Sequence, residues 1–245
     1  PAVFFFEFDA WRMFSSTDVW ILALSGVVGV CIADWLLLAS LNLLGAGRNA
    51  ILDCLYSPFV IVFAWFALGE ELTLNRIGGG LLVVAGILIA TLSERKSGKV
   101  KKLSLGIAYG IAAMISMAGA IVLAKPVLEK APFFAAMEIR MLAGVSSGVF
   151  GLLVVGKFRM FVKCSKSPEF PHLRVWLGIC LPAFFAMCLW IQGYRLLDAS
   201  LASILNQTST FFILVLAYWF LGEKLNVSKV LGALVAFAGV AIVVL

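Results

Sequence analysis

The chain has 245 residues, of which 63% are apolar and 13% charged, and its mean hydropathy is +1.08. Soluble domains carry about 45–50% apolar and about 25% charged residues, so a water-soluble enzyme is excluded and an all-α integral membrane protein is expected. The net charge of +6 does not point to nucleic acid, because the basic residues gather in loops between apolar runs, the pattern that sets membrane topology.

Taken in order, Pro1–Phe8 reads PAVFFFEF. It has no basic leading region and no small-residue cleavage site, so it is not a signal peptide; it reads as the end of an apolar segment. A span needs about 20 apolar residues to cross a hydrocarbon core about 30 Å thick. Eight runs qualify: Trp20–Leu44, Asn49–Leu68, Leu74–Leu92, Leu103–Ala124, Phe133–Val155, Leu173–Leu197, Ala199–Leu221 and Val227–Leu245. The charged stretch Ser93–Lys102, SERKSGKVKK, separates three spans from five. Two further spans are therefore expected ahead of Trp20, giving ten, and a tail is expected after Leu245.

The two halves repeat. Phe59–Ile89 and Phe212–Ile242 align without a gap at an offset of 153, with 12 of 31 positions identical. The identities include Leu68-Gly69-Glu70 with Leu221-Gly222-Glu223, Gly79 with Gly232, and Gly86 with Gly239. The match extends upstream, making residues 24–92 and 177–245 two copies of a three-span unit. An odd number of spans per repeat turns the copies in opposite directions, so an inverted-repeat helical bundle is expected, with residues 1–92 as the first repeat, 93–102 as linker and 103–245 as the second. Thirteen Lys and Arg residues lie in the loops of one side and six on the other. The richer side, holding Ser93–Lys102 and Lys157–Arg174, is expected to be cytoplasmic.

Polar groups inside spans are costly and each calls for a reason. Ala50, Asp53 and Ser57 share one helical face, and their mates at the same offset are Ser203, Asn206 and Thr210, with Gln207 and Thr208 beside them. Two related polar stripes suit one aqueous cavity; interhelical hydrogen bonding is the alternative. Asp34 lies in the first span and its mate is Met187, so symmetry does not account for it. It suits either a substrate amine or proton, or a neutral bond to a neighbouring helix. Arg140 suits either a bidentate carboxylate clamp or a headgroup anchor that snorkels. Gln192 and Trp190 could line the same pocket. Glu70 and Glu223 are expected to cap the turns after their spans. Gly106-x-x-x-Gly110 and Gly144-x-x-x-Gly148 are expected to allow close helix packing.

Metal or catalytic chemistry finds no framework here. His172 is the sole histidine, and the five cysteines show no CxxC spacing, so no metal site, disulfide set, Ser–His arrangement or cofactor is expected.

The stretch SPFVIVFAWFALGEELTLNRIGGGLLVVAGILIA resembles the EamA family of the drug/metabolite transporter superfamily. Pro58, Gly69-Glu70, Gly79 and Ala85-Gly86 carry the likeness, as do Gly222-Glu223, Gly232 and Ala238-Gly239, though Phe211 stands where Pro58 would be. Arg140 in MEIRMLAG matches a family Arg near the start of a span. The resemblance implies ten spans in two inverted repeats of five, and termini on the cytoplasmic side with the central linker outside, the reverse of the charge reading. It implies a secondary transporter in a lipid bilayer, such as a bacterial inner membrane, moving a small-molecule metabolite (an amino acid, for example) by alternating access. With no nucleotide-binding motif, its energy would come from a gradient; proton or ion coupling and a homodimer are both left open. A non-transporting membrane scaffold is the alternative. A nucleotide-sugar carrier would show bases clustered inside the spans, and here the sequence puts them in loops.

Overall fold

A computed structural model of the chain describes residues 13–44, 49, 52–53, 55–92, 102–165, 175–209, 212 and 227–244. Every regular element among them is helical. Helix α1 (Ser16–Gly26) passes through a π-helical stretch, Val27–Ile32, into α2 (Ala33–Leu44). There follow α3 (Tyr56–Leu68), α4 (Leu74–Leu92), α5 (Leu103–Lys130), α6 (Phe133–Val154) and α7 (Phe158–Ser165). A second π-helical stretch, Trp176–Cys180, leads into α8 (Leu181–Leu196), and α9 (Ala199–Asn206) and α10 (Val227–Val244) complete the set. Ser16–Leu44, α5 and α6 are each long and apolar enough to cross a membrane; Tyr56–Leu68, Leu74–Gly86 and Val230–Ile242 are shorter apolar helices. They expose large apolar side chains such as Trp20, Trp35, Phe66 and Phe150, a surface suited to lipid and costly in water.

Local chemistry moves several boundaries from those expected. The first helix starts at Ser16, not Trp20, because Ser15 and Asp18 form a capping box. The Ser15 hydroxyl accepts from the Asp18 N–H, and the Asp18 carboxylate accepts from the Ser15 N–H, each at 3.1 Å, which satisfies two donors at the helix end. The expected continuous span Asn49–Leu68 contains a turn. Asn49, Leu52 and Asp53 are helical, Leu55 is a turn residue, and α3 runs on from Tyr56, with Pro58 in its first turn, where a missing N–H is tolerated. Helix α5 runs six residues past the expected end and contains Pro126, so Lys125, expected in a loop, sits within a helix. Helix α7 lies in the expected Lys157–Arg174 loop.

The chain divides into two compact units, Pro1–Cys31 with Ala124–Leu196, and Ile32–Leu123 with Leu197–Leu245. Each draws on both halves of the sequence. In the first, α1 packs on α6 with backbones so near that a Cβ at Gly26 would lie 2.1 Å from the Arg140 carbonyl oxygen. Gly144 faces Val30 in the same way.

In the second unit, α4 and α10 form the most extensive helix pair. A Cβ on Gly86 would lie 2.4 Å from the Gly232 carbonyl oxygen, and one on Gly239 would lie 2.6 Å from that of Gly79. These four glycines are two pairs of repeat mates, Gly79/Gly232 and Gly86/Gly239. Each mate of one pair meets the opposite member of the other, so the helices run antiparallel and the contact is self-complementary, as in a two-fold interface. Helix α9 packs on α3, α4 and α10, with Ile204 against Val83, Ile61, Val84 and Val240. Gly106 and Gly110 of α5 approach Leu44, Leu52 and Ser40, which is the packing role expected of that motif, and the Ser40 hydroxyl donates to the Gly106 carbonyl at 2.9 Å.

Gly86→Leu or Gly239→Leu should push α4 and α10 apart, at a cost of about 1–3 kcal/mol or more, and lower the Tm of the detergent-solubilised protein. Gly78→Ala, whose Cβ meets open space, serves as the control and should leave Tm unchanged or slightly raised. Equal Tm values for all three would mean that the close crossing does not form.

Candidate functional site

The site is built from the shared Leu-Gly-Glu. Gly69 ends α3 in the left-handed region at φ 68°, a conformation that glycine adopts without steric cost. That turn delivers Glu70 to the amino end of α9. Its carboxylate accepts from the Ala199 N–H at 2.6 Å, the Ser200 N–H at 3.0 Å and the Ser200 hydroxyl at 2.5 Å. Glu70 therefore caps a helix 129 residues away, not the turn after its own span. The local N-cap residue, Asp198, makes no side-chain cap bond; its carboxylate pairs with Arg76, which also lies 4.0 Å from Glu70. A negative group with three donors at a helix N-terminus is favoured by the orphan N–H groups and the helix dipole.

Held in this way, α9 lies antiparallel to the start of α3. The Ser57 hydroxyl donates to the Ser203 carbonyl at 2.8 Å, and the Gln207 amide lies 3.4 Å from the Asp53 carbonyl. Both segments tighten to an i→i−3 bond at the same register while Leu55 and Gln207 keep right-handed helical dihedrals. The Leu55 N–H bonds to the Leu52 carbonyl at 3.0 Å, and the Thr208 N–H bonds to the Leu205 carbonyl, also at 3.0 Å; these are the same bond at an offset of 153. Pro58 removes a donor in the first copy. In the second copy, where Phe211 replaces it, the Thr208 hydroxyl donates to the Leu205 carbonyl at 2.6 Å and competes with helix continuation.

The expected polar residues divide accordingly. Asp53, Ser57, Asn206 and Gln207 come together at the α3–α9 contact. Ser57 and Gln207 are buried there and donate between helices, the alternative weighed for the stripe, whereas Asp53 is exposed and Asn206 half-buried. Asp34 is exposed in the first turn of α2, just after the Val27–Ile32 π-helix; its neighbour Trp35 meets Tyr109 edge-on. Thr210 lies outside the described residues, as do Ala50, Gly222 and Glu223.

Arg140 and Gln192 belong to the other compact unit. Arg140 is 2% exposed, so it does not snorkel to the headgroups; the close Gly26 contact encloses it within the α1–α6 packing. Gln192 is half-buried. Sequence reasoning missed Lys125, which is 5% exposed, donates to the Tyr194 carbonyl at 2.9 Å and pairs with Glu129 at 2.7 Å. Its signal was the Lys-x-x-x-Glu spacing of a continuing helix, which lay past the hydropathy bound of the expected span. No group of three or more His, Cys, Asp or Glu able to hold a metal occurs among the described residues.

The sequence model of the EamA-like transporter family matches residues 1–92 and 104–245. The chain belongs to this family. It is thus a transmembrane transporter of the drug/metabolite type, embedded in a lipid bilayer and acting on a small molecule. No curated protein matches this EamA-like chain. A protein crystal structure superposes on it with a TM-score of 0.76 at 15% identity, covering 95% of this chain and 79% of that one; that likeness concerns the fold alone.

Glu70→Ala should destabilise the EamA-like protein by about 0.5–2 kcal/mol, the usual value of a lost cap. A double-mutant cycle with Ser200→Ala, measured by thermal unfolding, should give a coupling of about 0.5–3 kcal/mol. Strict additivity would show that the Ser200 hydroxyl does not bond the carboxylate, and an unchanged Tm for Glu70→Ala itself would show that the carboxylate does not hold α9.

Proposed function

We propose that the protein is a secondary transporter that moves a small polar or amphipathic metabolite, such as an amino acid, by alternating access. The observation that carries this reading is a matched tight turn in two repeat-related segments, Leu55 bonding to Leu52 and Thr208 to Leu205, with Asp53 and Asn206 beside it. Departures from regular helix at the contact between repeats are where transporters place substrate, because the freed backbone and adjacent polar side chains replace water around it. The antiparallel glycine crossing of α4 and α10 supports two repeats of opposite orientation, residues 1–92 and 103–245, in a bundle of eight spans here and ten in the family pattern. Rocking of one repeat against the other would then expose the site to each side in turn.

Asp53, Asn206 and Asp34 are the groups assigned to substrate or a coupling proton, with Thr210 as a further candidate; Ser57 and Gln207 hold the two helices together; Arg140 and Gln192, in the other compact unit, are separate candidates. Asp34 comes directly after a π-helical stretch, a geometry frequent at functional positions. In a metabolite-wide uptake and efflux comparison, Asp53→Ala and Asp34→Asn should each reach the membrane in normal amount. Each should lose at least about tenfold in rate, equivalent to about 1.4 kcal/mol, or lose the pH dependence of transport. Unchanged rates and pH profiles in both variants would remove these residues from the site. The second reading, a non-transporting scaffold, draws on the hydrogen bonds that Ser57 and Gln207 make between helices; absence of any transported metabolite would favour it.

The basic loops support an orientation with Ser93–Lys102 in the cytoplasm, in a membrane such as the bacterial inner membrane. Single cysteines placed in that stretch, in a background without native cysteines, should resist an impermeant thiol reagent added to intact cells. Strong labelling from outside would reverse the orientation.

A further inference from the structure

Helix α6 ends in a hydrogen-bonded turn that sets the direction of α7. Gly156 adopts φ 71°, the Lys157 N–H bonds back to the Leu152 carbonyl at 2.9 Å, and the Gly156 N–H bonds to that of Leu153 at 3.0 Å. This is a Schellman termination, which closes the helix and turns the chain off its axis. Helix α7 starts at once, the Phe161 N–H donating to the Lys157 carbonyl at 3.0 Å. Its 8 residues span about 12 Å, too little to cross a bilayer.

The sequence of α7, FRMFVKCS, is two-sided. Phe158, Phe161 and Val162 share one face, while Arg159 and Lys163 stand four apart on another. Met160 and Phe161 are 65% and 54% exposed, and Lys157, Arg159 and Lys163 are exposed as well. No acidic residue occurs from Lys157 to Ser165. A short helix with apolar and basic faces, placed at the end of a membrane span, has the features of an element lying in the headgroup plane.

We propose that α7 is an anionic-lipid anchor. Arg159 and Lys163 bind the acidic headgroups of the leaflet at which α6 ends, with Lys157 at the turn before them, and Phe161 seats among the acyl chains beside the half-buried Phe158 and Val162. The positive charge of the Arg159–Lys163 face, with no acidic residue from Lys157 to Ser165, complements an acidic lipid surface and not a zwitterionic one. The anchor would fix the end of α6 at a set depth, and it is independent of which metabolite is carried.

The test reconstitutes the full chain, with Phe161→Cys carrying an environment-sensitive dye in a background without native cysteines, into phosphatidylcholine vesicles with or without phosphatidylglycerol. The dye should shift to the blue and be quenched by lipid-borne nitroxide, more strongly with phosphatidylglycerol. Phosphatidylglycerol retained by the purified protein should fall about fivefold for each of Lys157→Gln, Arg159→Gln and Lys163→Gln, and should fall with added salt in the unaltered chain. Quenching by aqueous iodide without a blue shift would overturn the proposal. So would a blue shift unaffected by lipid charge, by salt and by the substitutions, which would mean apolar contact only. A blue shift that appears in detergent and grows with protein concentration would assign the face to a second copy of the chain and also overturn it.

Discussion

Two glycine-bearing helices, α4 and α10, approach until the backbone of each fills the space where the other would carry a side chain. In lipid no hydrophobic gain comes from bringing helices together, because the tails are as apolar as leucine, so association rests on close packing and a few polar contacts. The Gly79/Gly239 and Gly86/Gly232 approaches supply that packing. Helix α9 then lies over both partners through Ile204, and α3 lies on α9. The position of the tightened segments thus depends on a contact made elsewhere in the same unit.

Polar groups in the spans serve two uses. Ser40, Ser57, Ser203 and Gln207 are buried and spend donors on carbonyls of neighbouring or preceding turns. Such bonds are individually modest, about 0.6 kcal/mol on average between membrane helices, but they set register where apolar packing alone would slide. Asp34 and Asp53 are exposed; Asp53 enters this pattern through its backbone carbonyl alone, and neither carboxylate carries such a bond among the described residues. A carboxylate without a packing role is the group whose presence in a span most needs a function.

Much of this was legible in the sequence. The offset of 153 marked the two copies and the glycines they share; that α4 and α10 meet at those glycines is seen only in the structure. What the sequence hid has physical causes. Pro58 ends a hydrogen-bond ladder upstream of itself, so a hydropathy run that looks continuous contains a tight turn at residue 55. The matching turn at Thr208 comes from a hydroxyl, which leaves no trace in hydropathy. Lys125 fell outside the expected span Leu103–Ala124, which was bounded by hydropathy; the helix continues past it and past Pro126 to Lys130. For Arg140 the sequence left a carboxylate clamp and a headgroup anchor open; its burial where α1 packs on α6 depends on tertiary neighbours that spacing does not reveal. The partner of Glu70 was hidden for the same reason: a cap supplied across 129 residues has no local spacing to reveal it.

That distant cap also sets an order in time. Glu70 and its turn are complete well before Ala199 is synthesised, 129 residues later. At about 5–20 residues per second, the interval is roughly 6–26 s. Through it the carboxylate keeps water or Arg76 as company, and α9 emerges with its first N–H groups unsatisfied. Docking α9 against the waiting Glu70 removes both deficits in one step. The earlier half of the chain thus acts as the template on which the later half closes, and a delay in docking would leave the amino end of α9 as the exposed flaw of a half-assembled protein.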